Sequence, residues 1–501
     1  MSSASGAADG RAPAGGERGD GPGRRGPAGR GFHRVNARWL VGGLLLFLLS
    51  SFGQTFFVSL FADGIRADAG LSLGEFAGLY TAATLCAAVG LAVAGPAADR
   101  VPPRFTVPGA VTLLALGCLL MAVRPQGPGL LFVALLLLRL AGQGLLTHLG
   151  FTLVGRWFTA ERGRAVSATS VGLNLGEALL PLAAVPLAAE IGRRGVWATA
   201  LVVLVALGGA ATLLLARERI PAPGERAAPL SRPGTGADLS RREILRTASF
   251  YLVLPAMAAP ALIGNTVFFH QSHLADLRDW PLTAVASAYS VYAVSTVVFN
   301  FAGGHLLDRT GALALVPYFL IPLATGLWLL GTLEQQAALY AFMALYGVTN
   351  GMSLSLFGAV WPELYGVTHL GAIRSAVVAV LVVASAVGPG AVGVLLDLGA
   401  GLPALLWTMG AYCLAASVTA GAAIGGVPPR RPRADGLAEK ARLRDDDAGG
   451  DGTTPPSRGR AAARRGTGQQ PRAAVVTRAG STRGAEVGPI TRIVMSCRVR
   501  V

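Results

Sequence analysis

The chain has 501 residues, of which 52% are hydrophobic and only 14% charged. A soluble protein carries about a quarter charged residues and striped, not uniformly apolar, helices; the long, uninterrupted apolar runs here exclude that class and require a bilayer as solvent. The net charge of +16 does not mark a nucleic-acid binder, because most of it lies on two tails, residues 1–38 and 427–501, whereas nucleic-acid binding needs charge clustered on a folded face.

Residues 1–38 are rich in Gly, Pro, Ala and Arg, a composition that predicts a disordered tail. Twelve apolar stretches follow, each near the roughly 20 residues that cross a hydrocarbon core. Six of them, at about 39–62, 75–97, 105–123, 128–155, 165–189 and 196–216, form a first half over 39–216. The first is long enough to span and reads as a retained helix, with no cleavable signal before it. Residues 217–248, rich in Pro, Gly and Arg, read as a solvated linker. The second half, 249–424, holds stretches at about 249–275, 283–306, 312–331, 336–360, 372–396 and 402–424. Residues 425–501 make a second disordered, basic tail. The expected fold is therefore an all-α membrane protein of twelve transmembrane helices in two six-helix, pseudo-symmetric halves.

With an even number of spans both tails fall on one side. The connections on that side hold fourteen arginines, and the opposite ones hold Arg66, Arg124, Arg193, Arg194 and Arg278. Positive residues stay inside, so both termini are expected in the cytoplasm of a multi-pass plasma (inner) membrane protein. No spacing among Cys86, Cys118, Cys413 and Cys497 suggests a metal site or a disulfide framework. No metal and no cofactor is expected. No G-x-x-x-x-G-K-[ST] string occurs, which removes the ATP-driven pump.

The two halves echo each other. GPAADR at 95–100 follows the second stretch and GHLLDR at 304–309 follows the eighth, with Gly95/Gly304, Asp99/Asp308 and Arg100/Arg309 each 209 positions apart. Arg164 and Arg374 open the fifth and eleventh stretches in the same way. Over residues 39–424 this pattern resembles the major facilitator superfamily of secondary transporters, whose loop motif is Gly-x-Leu-x-Asp-Arg-x-Gly-Arg-Lys. The first copy supplies Gly95, Asp99, Arg100 and a closing basic Arg104, and departs at Ala97, Pro102 and Pro103. The second keeps Gly304, Leu306, Asp308, Arg309 and Gly311, and lacks the closing basic pair. RWFTAERGRA, 156–165, is similar to the loop after span four in bacterial members that carry organic anions and related metabolites. The resemblance implies conformational roles for these loop residues, a cavity between the halves, and a monomer. A glycine allows close helix approach, and an acid at a helix end can face a neighbouring helix N-terminus.

Charges within the apolar stretches supply the candidate site. Arg139 stands about 17 Å from the outer end of span four at 1.5 Å per residue, where facing lipid would cost from ~3 to more than 10 kcal/mol. It must turn inward. Glu177 lies at the same depth on span five, so an Arg139–Glu177 pair is the simplest expectation. That pair reads either as a structural tie or as an anion grip whose acid releases substrate or carries a proton. Gln143 and Thr147 follow Arg139 at i+4 and i+8 and should extend an inward polar stripe. His148 reads as a bundle hydrogen-bonder. Pro255 and Pro260 should bend span seven, with Gly264–Asn265 loosening it further. Asn265 at mid-depth is a ligand candidate, and His270 a residue of the outer vestibule. Tyr289 and Tyr292 are candidate wall residues of span eight, with lipid-interface anchoring as their bland reading. Gln54 and Thr55 interrupt span one, and Asn350 and Ser353 lie on span ten.

The function expected is secondary active transport of a small solute, an organic anion first, by alternating access with proton or ion coupling or exchange. Its partners would be that small molecule, the lipid bilayer and protons, with no nucleic acid. Proton-driven efflux of hydrophobic or drug-like compounds is the alternative. A non-transporting membrane sensor is a reading from a different class. A polytopic enzyme is disfavoured, because the few acids near the spans sit in loop motifs and not in a cluster.

Overall fold

A computed structural model describes residues 34–123, 127–158, 161–219, 241–365 and 370–425. Nearly all of the two tails and most of the linker lie outside these residues. So do the side chains of Asp99 and Arg374.

Among the described residues all regular structure is helical, and ten helices are long and apolar enough to cross a membrane. Hydrocarbon offers no partner for backbone N–H and C=O groups, so a spanning segment must satisfy them within itself. Burial separates the helices into two kinds. Ala37–Ser59 and Ala248–Phe269 each have 72% of their most apolar window inside the protein and form the centre. The window in Gly163–Leu215 is only 28% buried. Its outward residues, among them Val202, Val205 and Leu213, are nonetheless apolar, as contact with acyl chains requires.

Two elements differ in length from the expected stretches. Arg162–Leu215 runs for 54 residues, but Gly192 has φ 70° and ψ 164° and breaks it into two helices. The break falls between the stretches expected at 165–189 and 196–216. Ile321–Thr332 has only 12 residues, about 18 Å. The short helix Ala312–Leu315 and a turn over 316–320 precede it within the stretch expected at 312–331.

Two helices are interrupted where they touch. The first breaks into a 3-10 turn at Ser51–Gly53, after which Gln54 is extended, with φ −79° and ψ 156°. The fourth opens into a π-helix at Arg139–Leu146, a form that concentrates at functional sites. Gly53 and Gly142 meet at this contact: a Cβ on Gly142 would lie 2.6 Å from Gly53 Cα, and one on Gly53 would lie 2.8 Å from Gly142 Cα. Only glycine on both sides permits that approach.

Span seven is continuous from Ala248 to Phe269 with Pro255 and Pro260 inside it. The expected loosening at Gly264–Asn265 does not occur. Gly264 instead makes room for the Tyr346 ring, which a Cβ there would strike. The Tyr346 and Tyr412 hydroxyls donate to the carbonyls of Pro260 (3.0 Å) and Pro255 (3.1 Å).

The helices before residue 219 and those after residue 241 are tied at the end of the bundle that carries Ser72 and Asp397. Ser72 Oγ and Gly74 N–H donate to Asp397 Oδ2 at 2.6 and 2.9 Å. Deeper in, Thr81 donates to the Ala386 carbonyl at 2.7 Å, and Ser290 donates to that of Ala178 at 3.0 Å. Gln271 Nε2 donates to Ser59 Oγ at 2.9 Å.

Candidate functional site

A cavity of about 400 Å³ lies inside the bundle. Six of the eight substrate or coupling candidates line it: Gln54, Gln143, Glu177, Asn265, Tyr292 and Asn350. They come from the first, fourth, fifth, seventh, eighth and tenth apolar stretches, so distant segments converge on one space. Thr55, Asn174, Tyr346 and Ser353 also line it. Asn174 and Tyr346 were not anticipated, although helical spacing could have found them. Asn174 precedes Glu177 by three positions and Tyr346 precedes Asn350 by four, and such neighbours share a helix face.

The wall is partly organised by hydrogen bonds. Asn350 Nδ2 donates to the Tyr292 hydroxyl at 2.8 Å, and the Tyr292 ring stacks on Tyr346 with centroids 5.0 Å apart. Asn265 Nδ2 donates to the Ala261 carbonyl at 3.2 Å, while its Oδ1 accepts from Thr55 Oγ1 at 2.7 Å. Phe56 and Phe268 line the cavity and both pack against the buried Tyr289 ring, at 5.6 and 4.9 Å.

Arg139 is 2% exposed and does not line this cavity. Its Nε donates to Thr84 Oγ1 at 3.1 Å, and its Nη1 donates to Thr55 Oγ1 at 3.1 Å and to the Gly53 carbonyl at 3.3 Å. The guanidinium carbon lies 5.0 Å from the Tyr80 ring centroid, a cation–π contact. Tyr80 also donates to Thr55 Oγ1 at 2.9 Å, so Thr55 connects Arg139 to Asn265 and to the cavity wall. The Arg139 Nη2 has no hydrogen-bond partner among the described residues.

The expected Arg139–Glu177 pair is absent among the described residues; every group around the guanidinium is neutral. Equal depth did not mean facing directions. The break in span one places the Gly53 carbonyl and Thr55 where they draw Arg139 toward spans one and two. Glu177 faces the cavity beside Asn174, and no hydrogen bond or ion pair engages it among the described residues. The inward stripe also stops short. Gln143 reaches the cavity, but Thr147 Oγ1 turns back to the Gly142 carbonyl at 3.5 Å across the wider π turn.

His270 is a second correction. It is 4% exposed, lies outside the cavity, and places Nε2 3.1 Å from the Pro389 carbonyl. Tyr289 is fully buried and is neither a cavity-lining residue nor a lipid-interface anchor.

The loop-motif residues lie apart from the cavity. Gly95 offers its carbonyl to His148 Nε2 at 3.2 Å. Arg104 stacks over Phe105 at 5.0 Å. Arg100, Asp308 and Arg309 are exposed, and Gly304 is half-buried. The Asp99 side chain lies outside the described residues. After the second copy, Gly311 adopts φ 81°, and Glu363 accepts the Ala312 N–H at 2.9 Å. This places a carboxylate at the start of the Ala312–Leu315 turn.

Membrane-length helices around a cavity lined by aromatic and polar side chains and one carboxylate suit a carrier of small solutes. Comparisons with known proteins give the same class. A sequence profile of the Major Facilitator Superfamily matches residues 43–389 and 244–477. The oxalate:formate antiporter of Oxalobacter formigenes is 25% identical over 342 residues, 66% of this chain and 78% of the antiporter. A mutant of the peptide transporter POT has a similar fold, with TM-score 0.60 at 14% identity over 77% of this chain and 94% of that one. A mutant of the nucleoside transporter NupG has TM-score 0.57 at 15% identity, over 78% and 99%. The chain belongs to the Major Facilitator Superfamily and is a membrane transporter of small molecules, not an enzyme.

Proposed function

We propose that this transporter carries a small organic anion by alternating access, in exchange for a second anion or coupled to protons. The observation that carries the reading is the state of Arg139. A guanidinium 2% exposed, held by neutral groups and joined to no carboxylate among the described residues, leaves a net positive charge beside the cavity. Burial of an unpaired charge is costly, and an anion that binds there recovers the cost. The antiporter named above, 25% identical, supports an anion as cargo.

The architecture completing this proposal has twelve spans in two six-helix halves, 39–216 and 249–424, joined by the 217–248 linker and flanked by tails at 1–38 and 425–501. Dividing Arg162–Leu215 at Gly192 and counting 312–332 as one crossing brings the ten membrane-length helices to twelve. The arginine distribution puts both termini in the cytoplasm of an inner membrane. The Ser72–Asp397 end, where hydrogen bonds tie the two parts of the bundle, is then external. The protein works as a monomer.

The test is counterflow in proteoliposomes loaded with unlabelled oxalate, formate or succinate. Wild-type protein should accumulate the labelled anion from outside, and Arg139→Gln should fall to the level of protein-free vesicles. Wild-type vesicles that accumulate none of these anions overturn the reading. One observation favours the alternative: Glu177 is the charged residue lining the large cavity, among Phe56, Phe268, Phe357, Tyr292 and Tyr346. That lining suits proton-driven efflux of a hydrophobic compound. In that case an inverted-vesicle dye-extrusion assay would depend on Glu177 and not on Arg139.

A further inference from the structure

Arg139 is 2% exposed and lies outside the cavity lining, so its charge reaches a solute in the cavity only through a neighbour. Among the described residues it donates to Gly53, Thr84 and Thr55, and of these three Thr55 alone lines the cavity. We infer that the Thr55 hydroxyl is the group that binds the anion, that Arg139 is its positioning residue, and that Asn265 Oδ1 occupies the position a cargo oxygen takes. The inference rests on the anion reading above and adds to it the atom that meets the cargo.

The hydrogen-bond count fixes the direction of this hydroxyl. A threonine hydroxyl has one proton to give and two lone pairs with which to accept. Thr55 Oγ1 accepts from Arg139 Nη1 at 3.1 Å and from the Tyr80 hydroxyl at 2.9 Å, and donates its proton to Asn265 Oδ1 at 2.7 Å. With both lone pairs filled, it meets the cavity as a donor only. Accepting from a guanidinium also polarises the O–H and strengthens the bond it gives. The branch through Thr84 ends inside the protein, because Thr84 Oγ1 donates to the Tyr80 carbonyl at 2.8 Å. The amides of Gln54, Gln143, Asn174 and Asn350 on the same wall both donate and accept, so they do not by themselves select an anion. Thr55 does.

Asn265 defines what the anion displaces. Its Nδ2 donates to the Ala261 carbonyl at 3.2 Å, one turn back on its own helix, which directs Oδ1 at Thr55. Thr55 is 2% exposed, whereas Asn265 is half-buried and lines the cavity, so the amide has the cavity to swing into. A carboxylate oxygen is a charged acceptor, and a hydrogen bond to it is roughly twice as strong as one to a neutral oxygen. Exchange of one acceptor for the other therefore favours the anion. It also breaks a bond between the helices Thr55–Ser59 and Ala248–Phe269, 210 positions apart at the bonded residues. Cargo binding thereby removes one of the ties between the two parts of the bundle that move against each other.

Calorimetric titration of oxalate into purified full-length protein tests the assignment. Thr55→Val keeps the shape, removes the hydroxyl, and should raise the Kd at least tenfold. Thr55→Ser keeps the hydroxyl and should stay within about threefold of wild type. Asn265→Ala removes the competing acceptor and should lower the Kd at least threefold, which the loss of a merely structural amide would not do. Arg139→Lys should raise the Kd at least tenfold, and adding Thr55→Val to it should raise it less than threefold further, because residues that act through one bond do not add. Fully additive losses in that pair overturn the positioning role. If oxalate binds wild type and every Thr55 variant equally, the anion sits elsewhere in the cavity; Thr55 is overturned and the anion reading stands. A loss in Thr55→Ser as large as that in Thr55→Val overturns the assignment, and so does weaker binding by Asn265→Ala, which would make Asn265 itself a ligand. If oxalate, formate and succinate all fail to bind wild type, both readings fall. Thr55→Val takes a partner from Arg139 and Tyr80; should that variant not fold, Asn265→Ala, which leaves both of those bonds in place, decides.

Discussion

Asp397, the last residue of one membrane helix, accepts a 2.6 Å hydrogen bond from the Ser72 hydroxyl, the N-cap of another helix 325 positions earlier in the chain. The same Oδ2 accepts the Gly74 N–H at 2.9 Å. Ser72 and Glu75 already form a capping box on this helix, so Asp397 adds a second carboxylate to a terminus that carries partial positive charge. The contact ties together two parts of the bundle that alternating access would separate.

Asp397→Ala should therefore destabilise this tied end by about 0.5–2 kcal/mol, the range of a lost helix cap. Spin labels placed across the Ser72–Asp397 end should show a larger separated population than wild type. An unchanged distance distribution would mean that the contact does not hold the end shut.

Arg139 can be examined by conservative replacement. Arg139→Lys keeps the charge but loses the planar fork and its stacking on Tyr80, so anion counterflow should remain at least tenfold below wild type. Arg139→Gln should unfold within a few degrees of wild type, because it removes a buried charge that no acid balances. Full activity in the lysine variant would reduce the residue to a point charge.

Gly264 and Tyr346 make a direct packing test. Gly264→Ala drives a methyl into the Tyr346 ring and should cost ~1–3 kcal/mol, typical of overpacking. Adding Tyr346→Leu should return part of that loss, since residues in contact couple. Thermal denaturation of the two single variants and the double variant measures it; strictly additive losses would refute the contact.

Glu177→Gln should leave the melting temperature unchanged or raised, because among the described residues no hydrogen bond or ion pair is lost. Removing this carboxyl should also tighten oxalate binding at alkaline pH, where it is ionised and repels an anion, and change it little at acid pH. Weaker binding in this variant would show that the carboxylate helps to hold the cargo.

The membrane class, the family and the approximate places of the helices were legible in the sequence, because hydrocarbon imposes one rule on every spanning segment: twenty apolar residues with internally paired backbone. Depth was legible too, since residues count at 1.5 Å each along a helix. It was enough to bring Gln54, Gln143, Glu177, Asn265, Tyr292 and Asn350 to one cavity. Direction around the helix axis was decided only in three dimensions. The 3-10 turn at Ser51–Gly53 and the π-helix at Arg139–Leu146 are departures from regular winding that no apolar run announces, and they turn Arg139 toward Gly53, Thr55 and Thr84 and away from Glu177. His270 likewise found the Pro389 carbonyl, 119 positions away, instead of a vestibule. Apolar length places a residue along the membrane normal because the bilayer is a field in one dimension. Which neighbour a side chain meets depends on the packing of several helices at once, and that is the part only the tertiary structure decided.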